Sequence, residues 1–281
     1  MTHVVGPNGN SYDLSPRAQL VGANLSGIKC LAVDLSFADL TNADLSNSSF
    51  YNGDTPGDQP KNLLIGANLQ GTNLQGANLG YVDLTSVNLS GSNLRGATLR
   101  GVKLHNTNFA GADMTGANLS SANWDSSSSP ESANFARTRT SSVNFSSAHL
   151  EYIDFSNCDL SHSKFAGTKL NGANLSNAKC SNCDFSMADL KMAILQGTDF
   201  SSSNFTSVDL CNTDLTRCNL TRVFLDDEFS HVTCNEATRW PNGVRPLPTQ
   251  NEVLEYLRHN PRALRKLEKK NEKLSRFLRR R

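Results

Sequence analysis

Residues 67–86 read Ala67-Asn-Leu-Gln-Gly, Thr72-Asn-Leu-Gln-Gly, Ala77-Asn-Leu-Gly-Tyr, Val82-Asp-Leu-Thr-Ser, four blocks of five in one register. Working outward from them, the central Leu or Phe recurs every five residues from Leu20 to Phe50, from Leu64 to Trp124 and from Phe135 to Leu225. These three runs hold 39 centres, and Leu or Phe fills 34 of them; Cys30, Met114, Trp124, Thr140 and Cys180 fill the rest. A repeat this regular decides the fold before any other feature is weighed.

No regular helix or flat strand can bury these centres. Five residues turn an α-helix through about 500°, so successive centres step round it by about 140° and make no stripe. Five residues along a flat strand send successive centres to opposite faces. Within each block, however, the centre and the residue two before it are both apolar or small, as in Ala67 with Leu69 and Val82 with Leu84. That is strand alternation lasting three residues before Gly, Ser or Asn supplies a turn. The expected backbone is a coil of short sides, each pointing two residues inward, with successive coils stacked about 4.8 Å apart by backbone hydrogen bonds.

The motif resembles that of the pentapeptide-repeat family, Ala-(Asp/Asn)-Leu-X-X, and the resemblance covers about residues 16 to 225. It implies an all-β solenoid: a right-handed quadrilateral β-helix with four repeats per coil. The 39 centres then make about ten coils, roughly 48 Å of solenoid. A four-repeat coil makes residues 20 apart neighbours, so Phe145, Phe165, Phe185 and Phe205 are expected to stack as one core column.

The expected organisation is an N-terminal cap over residues 1–15, repeats over 16–228, a terminal segment over 229–248 and a basic helical tail over 249–281. Two insertions break the period, at 51–60 and 125–132, both rich in Pro, Gly, Ser and Asp. They read either as tolerated loops or as recognition loops carrying Tyr51, Asp54, Asp58, Asp125 and Glu131. In the tail, Thr249-Gln-Asn-Glu252 reads as a capping box, and Asn260-Pro261 as the start of a second helix. Its stripe of Leu264, Leu267, Leu274, Phe277 and Leu278 suits capping of the solenoid or pairing as a homodimer. Its basic face, with Lys269, Lys270, Lys273, Arg276, Arg279 and Arg280, suits a nucleic acid or an anionic surface.

The formal net charge of +1 hides a division. Residues 249–281 carry 11 Lys/Arg and 4 Glu, whereas the rest carry 16 Lys/Arg and 22 Asp/Glu. Some pentapeptide-repeat proteins, those linked to fluoroquinolone resistance, bind DNA gyrase and are read as mimics of duplex DNA. The resemblance therefore raises a topoisomerase partner. Yet Asp precedes the centre at twelve repeats, positions 34, 39, 44, 83, 113, 154, 159, 184, 189, 199, 209 and 214, and one expected column runs Arg139, Asp159, Lys179, Asp199. Such interleaving predicts a compensated ladder rather than a negative stripe.

The seven cysteines show no framework spacing, and Cys30, Cys158, Cys180, Cys183 and Cys218 fall at inward positions, as expected of reduced thiols in a cytoplasmic protein. Cys180-Ser-Asn-Cys183 matches C-x-x-C without a second pair, so core packing is expected rather than metal or redox chemistry. The sequence has neither a nucleophile elbow nor a phosphate-cradling loop. It also lacks a signal-peptide pattern and any stretch of the roughly 18 apolar residues that a membrane span needs. The expectation is a non-enzymatic scaffold for protein partners, without cofactors.

Overall fold

The computed structural model describes residues 2–30, 33–50, 64–124, 134–135 and 137–223, all within one compact unit, Met1–Asn242. Both insertions, the terminal segment and the tail over 249–281 that the sequence reads as helical lie outside the described residues. Among the described residues no helix is long and apolar enough to cross a membrane.

A single antiparallel hairpin opens the chain, β1 (Thr2–Val5) with β2 (Ser11–Leu14). It lies against the first repeats: Leu14 is buried, and the Tyr12 hydroxyl accepts the Asn24 N–H at 3.2 Å. From Gln19 onward every pairing among the described residues is an isolated parallel bridge, and outside the two insertions residue i meets residue i+20, as Asn68 meets Asn88 and Asp159 meets Lys179. A period of five with pairing at 20 gives four sides per coil. Across the two insertions the bridges run Asp39 to Asn68 and Asn108 to Asn134, so the ladders resume in phase on the far side.

One repeat shows why this path is stable. Leu89 N–H donates to the Asn108 carbonyl of the next coil, and Gly91 N–H to that of Ala110. Asn93 N–H donates in the other direction, to Thr72 of the preceding coil. Ser92 N–H closes a turn onto the Leu89 carbonyl, and Ser90 N–H donates to Asn88 Oδ1. All five amides are thereby satisfied, as a buried backbone requires. The turn's third residue takes positive φ, and Gly91 does so at 65° without steric cost.

The residue before each centre thus has a structural task that the sequence reading did not assign. All twelve Asp there accept the backbone N–H two residues on, from Asp34 with Ser36 at 2.9 Å to Asp214 with Thr216 at 2.9 Å. Asn does the same work and also joins coils. Asn88 Nδ2 donates to Asn68 Oδ1 at 3.0 Å, and Asn108 Nδ2 to Asn88 Oδ1 at 3.2 Å.

The interior is filled by the centres and by the small residues two before them. Where that small residue is Thr, Ser or Cys, its side chain donates to a main-chain carbonyl, Ser48 excepted. Thr168 Oγ1 bonds the Phe145 carbonyl at 2.9 Å, Ser203 Oγ that of Cys180 at 2.6 Å, and Cys183 Sγ that of Leu160 at 3.0 Å. The five inward cysteines are buried as expected. Burial pushes the Cys30 and Cys218 thiols up to about 12, and Cys158 up to about 11.

The phenyl column is present with one correction. Phe145 and Phe165 stack at 5.1 Å and 15°, and Phe165 and Phe185 at 4.7 Å and 3°. Phe205, however, meets Phe185 edge-on at 75°, because Phe200 from the adjoining column packs 5.0 Å away and takes the space a flat stack would need. A second column that the sequence reading did not single out runs through Phe109, Phe135 and Phe155, with centroids 5.1 and 4.9 Å apart.

Truncating Phe165→Ala, which removes two stacked contacts from a fully buried site, is expected to cost about 3–5 kcal/mol in denaturant unfolding. Acid should also weaken the fold. The Thr41 hydroxyl and amide hold Asp39 below the ordinary carboxylate value, and although burial raises Asp113, Thr115 and Arg95 outweigh it. With folded values below unfolded ones, these groups stabilise above about pH 4 and lose that contribution as pH falls through the folded values. Asp39→Asn keeps the turn bond, so its thermal midpoint should depend less steeply on pH below about pH 4 than that of the parent chain.

Candidate interaction side

The four ladders define four sides. The first runs Gln19, Asp39, Asn68, Asn88, Asn108, Asn134, Asp154, Asn174, Ile194. The second runs Asn24, Asp44, Asn73, Asn93, Asp113, Arg139, Asp159, Lys179, Asp199, Asn219. The third runs from Lys29 to Asn204, and the fourth runs Asp83, Lys103, Asn123, His149, Lys169, Asp189, Asp209. Ten of the twelve Asp fall in these ladders, two, four, one and three to a side, and only Asp189 and Asp209 are ladder neighbours.

The column Arg139, Asp159, Lys179, Asp199 does form, but its charges do not close on one another. Among the described residues, its one approach within 4.0 Å is Arg139 to Asp113 at 3.8 Å, and Asp113 also takes Arg95 from the turn at 3.4 Å. Each Asp in the column accepts the amide it caps, and Asp199 spends the same oxygen on Asn219 Nδ2 of the next coil at 2.9 Å rather than on a cation. Such exposed pairs contribute little to stability.

The fourth side differs from the others. Burial raises Asp209, but the hydrogen bond from Lys191 at 2.9 Å and the Cys211 amide hold it below the usual carboxylate value, and that bond raises Lys191. Lys191 also lies 3.9 Å from Asp189, and His149 Nδ1 3.5 Å from Glu151. At the corners of this charged strip stand Tyr152, Met187 and Met192, exposed by 62%, 69% and 62%, and Ile194 lies just past the corner on the first side, exposed by 55%. Three of the four occupy left-handed turn positions, Tyr152 at φ 59°, Met187 at 59° and Met192 at 57°. Large residues are unfavourable there by roughly 1–2 kcal/mol, and most corners of the solenoid use Gly, Asn or Ser instead. Tyr152 is nevertheless well placed: its ring lies across Gly172 of the next coil, where an added Cβ would stand 2.5 Å from the ring carbons.

Sequence reasoning missed this side because it sought recognition in the insertions and the tail. Tyr51, Asp54, Asp58, Asp125 and Glu131 of the loops lie outside the described residues. So do the tail's basic residues from Lys269 to Arg280 and its stripe from Leu264 to Leu278. The available signal was a bulky residue at the third turn position, as in Tyr152, Met187 and Met192. Among the described residues no group of three or more His, Cys, Asp or Glu is placed to hold a metal ion. Cys180 and Cys183 are both buried, and burial with the adjacent Cys183 drives the Cys180 thiol well up.

No curated protein matches the chain significantly. Among solved structures, HetL, a pentapeptide repeat protein involved in heterocyst differentiation regulation from the cyanobacterium Nostoc sp. strain PCC 7120, is 25% identical. Its alignment covers 82% of this chain and 94% of HetL at a TM-score of 0.41. Full-length QnrB1, a plasmid-mediated fluoroquinolone resistance protein, is 22% identical over 76% of this chain and 91% of its own, with a TM-score of 0.23. Rfr23 from the cyanobacterium Cyanothece 51142 is 19% identical over 63% and 90%, with a TM-score of 0.17. Superpositions this loose carry no functional argument. The family profile for pentapeptide repeats, by contrast, matches eight copies over residues 17–54, 63–101, 92–123, 141–177, 153–191 and 183–222. With more than half of its length matched and its ladders running at a period of 20, the chain belongs to the pentapeptide-repeat family.

Proposed function

We propose that this chain is a non-enzymatic scaffold of the cytoplasm whose fourth side binds a protein partner. The observation that carries this reading is the set of large apolar residues, Tyr152, Met187 and Met192 at the corners of one charged strip with Ile194 just past its edge, exposed on a solenoid whose interior is packed. A closely packed core leaves the surface as the place for recognition, and exposed apolar groups rimmed by charges mark protein contacts. In this reading the hairpin of β1 and β2 covers the first coil, and the tail over 249–281 covers the last coil or pairs with a second tail.

The gyrase-binding alternative draws less support. A duplex mimic needs a continuous negative stripe, whereas the acids here are divided among four sides and committed to capping turns.

Affinity capture from the source cell, using the full chain and a variant with Tyr152, Met187, Met192 and Ile194 all changed to Ser, tests the reading. Surface changes of this kind usually alter stability by less than about 0.5 kcal/mol each. Proteins retained by the parent chain and lost by the variant are the expected result, and identical sets from both would remove this side as the interface. In a supercoiling assay with DNA gyrase, with and without a quinolone, a stoichiometric excess of the chain should have no effect; protection would favour mimicry over the scaffold reading.

A further inference from the structure

We propose that the fourth side binds a second copy of this chain in antiparallel orientation, about a two-fold axis between Lys169 and Asp189. The proposal rests on the reading of that side as an interaction surface and names its occupant. Over four consecutive coils the ladder reads His149, Lys169, Asp189, Asp209, with the basic groups first and the acids last. A two-fold axis in the plane of the contact and perpendicular to the ladder, through the middle of this run, sets Lys169 of each copy against Asp189 of the other and His149 against Asp209. An axis through Lys169 would oppose two ammonium groups, and one through Asp189 two carboxylates. The order of charges therefore selects one register, as an isologous contact requires.

The central pair carries most of this selection. Asp209 already holds Lys191 and the Cys211 amide, whereas Lys169 has no acidic group within 4.0 Å among the described residues. Lys169 with Asp189 forms twice about the axis.

The corners fit the same operation. Met187 and Met192 project from the two corners of one coil, and the corners of the preceding coil carry Ala166-Gly167 and Asn171-Gly172. Rotation about the axis brings Met187 of one copy to Ala166-Gly167 of the other, and Met192 to Asn171-Gly172. At the latter corner the Tyr152 ring lies over Gly172, so the Met192 thioether meets an aromatic ring, a favourable contact for sulfur. Protruding side chains thus face small ones at both edges of the contact. Four coils make a strip only about 19 Å tall, which places the interface at the small end of specific contacts. The dimer is correspondingly weak and concentration-dependent.

Sedimentation equilibrium on the full chain, up to several hundred micromolar at low salt, tests the proposal with a charge swap. Lys103, Lys164 and Lys179 occupy the same ladder position as Asp189 and Asp209, so either charge fits the fold there. The parent chain should self-associate, and Lys169→Asp should weaken association about tenfold or more by opposing acid to acid. The double variant Lys169→Asp with Asp189→Lys should restore it to within a few-fold. A parent chain that stays monomeric throughout overturns the proposal while leaving a different protein partner for this side. Association that ignores the single substitution overturns it too, by placing the contact elsewhere, for example in the tail. So does a double variant that stays as weak as the single one.

Discussion

Everything in this solenoid depends on satisfying five backbone amides per repeat without a continuous strand. The two amides next to the centre pair with coils on either side, the turn's third residue pairs with the next coil, and the turn closes on itself. One amide is then left facing no carbonyl, and the side chain before the centre supplies the acceptor. An unsatisfied buried amide would cost about 1–3 kcal/mol, and the repeat recurs along the whole unit. The Asp or Asn of the motif therefore supports the path at most repeats, beside the buried Leu. Where Lys164 or Lys169 stands instead, that acceptor is given up and a charge is gained at the surface.

This requirement changes the meaning of the acidic residues. As a count, 22 Asp and Glu outside the tail suggest a negative surface. In place, Asp39 and Asp113 are turned back on their own turns, and both are held below the ordinary carboxylate value. Asn performs the same capping without charge, and Asn88 passes a further hydrogen bond to the neighbouring coil. The distribution of Asp along the chain thus reflects turn chemistry before it reflects any partner.

The sequence carried the period, the inward pair of each block and the four-sided coil, because each follows from burying a residue every five positions. The bridge from Asp159 to Lys179 and the burial of Cys183 were legible in that way. The hydroxyl bond from Thr168 to a carbonyl 23 residues earlier was not, since it depends on how one coil's turn sits over the next. The tilt of Phe205 was hidden for a similar reason: columns interact sideways through Phe200, and a repeat read along one column does not show it. The candidate side was obscured because Tyr152, Met187 and Met192 fall at a position that the motif leaves unspecified. Only the left-handed backbone there makes large side chains exceptional.

The bridges from Asp39 to Asn68 and from Asn108 to Asn134 have a consequence for how such a chain can change over time. Between those partners the usual spacing of 20 is lengthened to 29 and 26, yet every later column keeps its identity. Inserted segments of arbitrary length are neutral to the lattice provided that the chain leaves and re-enters at corresponding points of the repeat. Loss of a single residue inside a block is different. It would shift each following centre out of the core, much as a deleted base shifts a reading frame, unless a second change nearby restored the phase. Length in this protein is thus free at the joints and forbidden within the links.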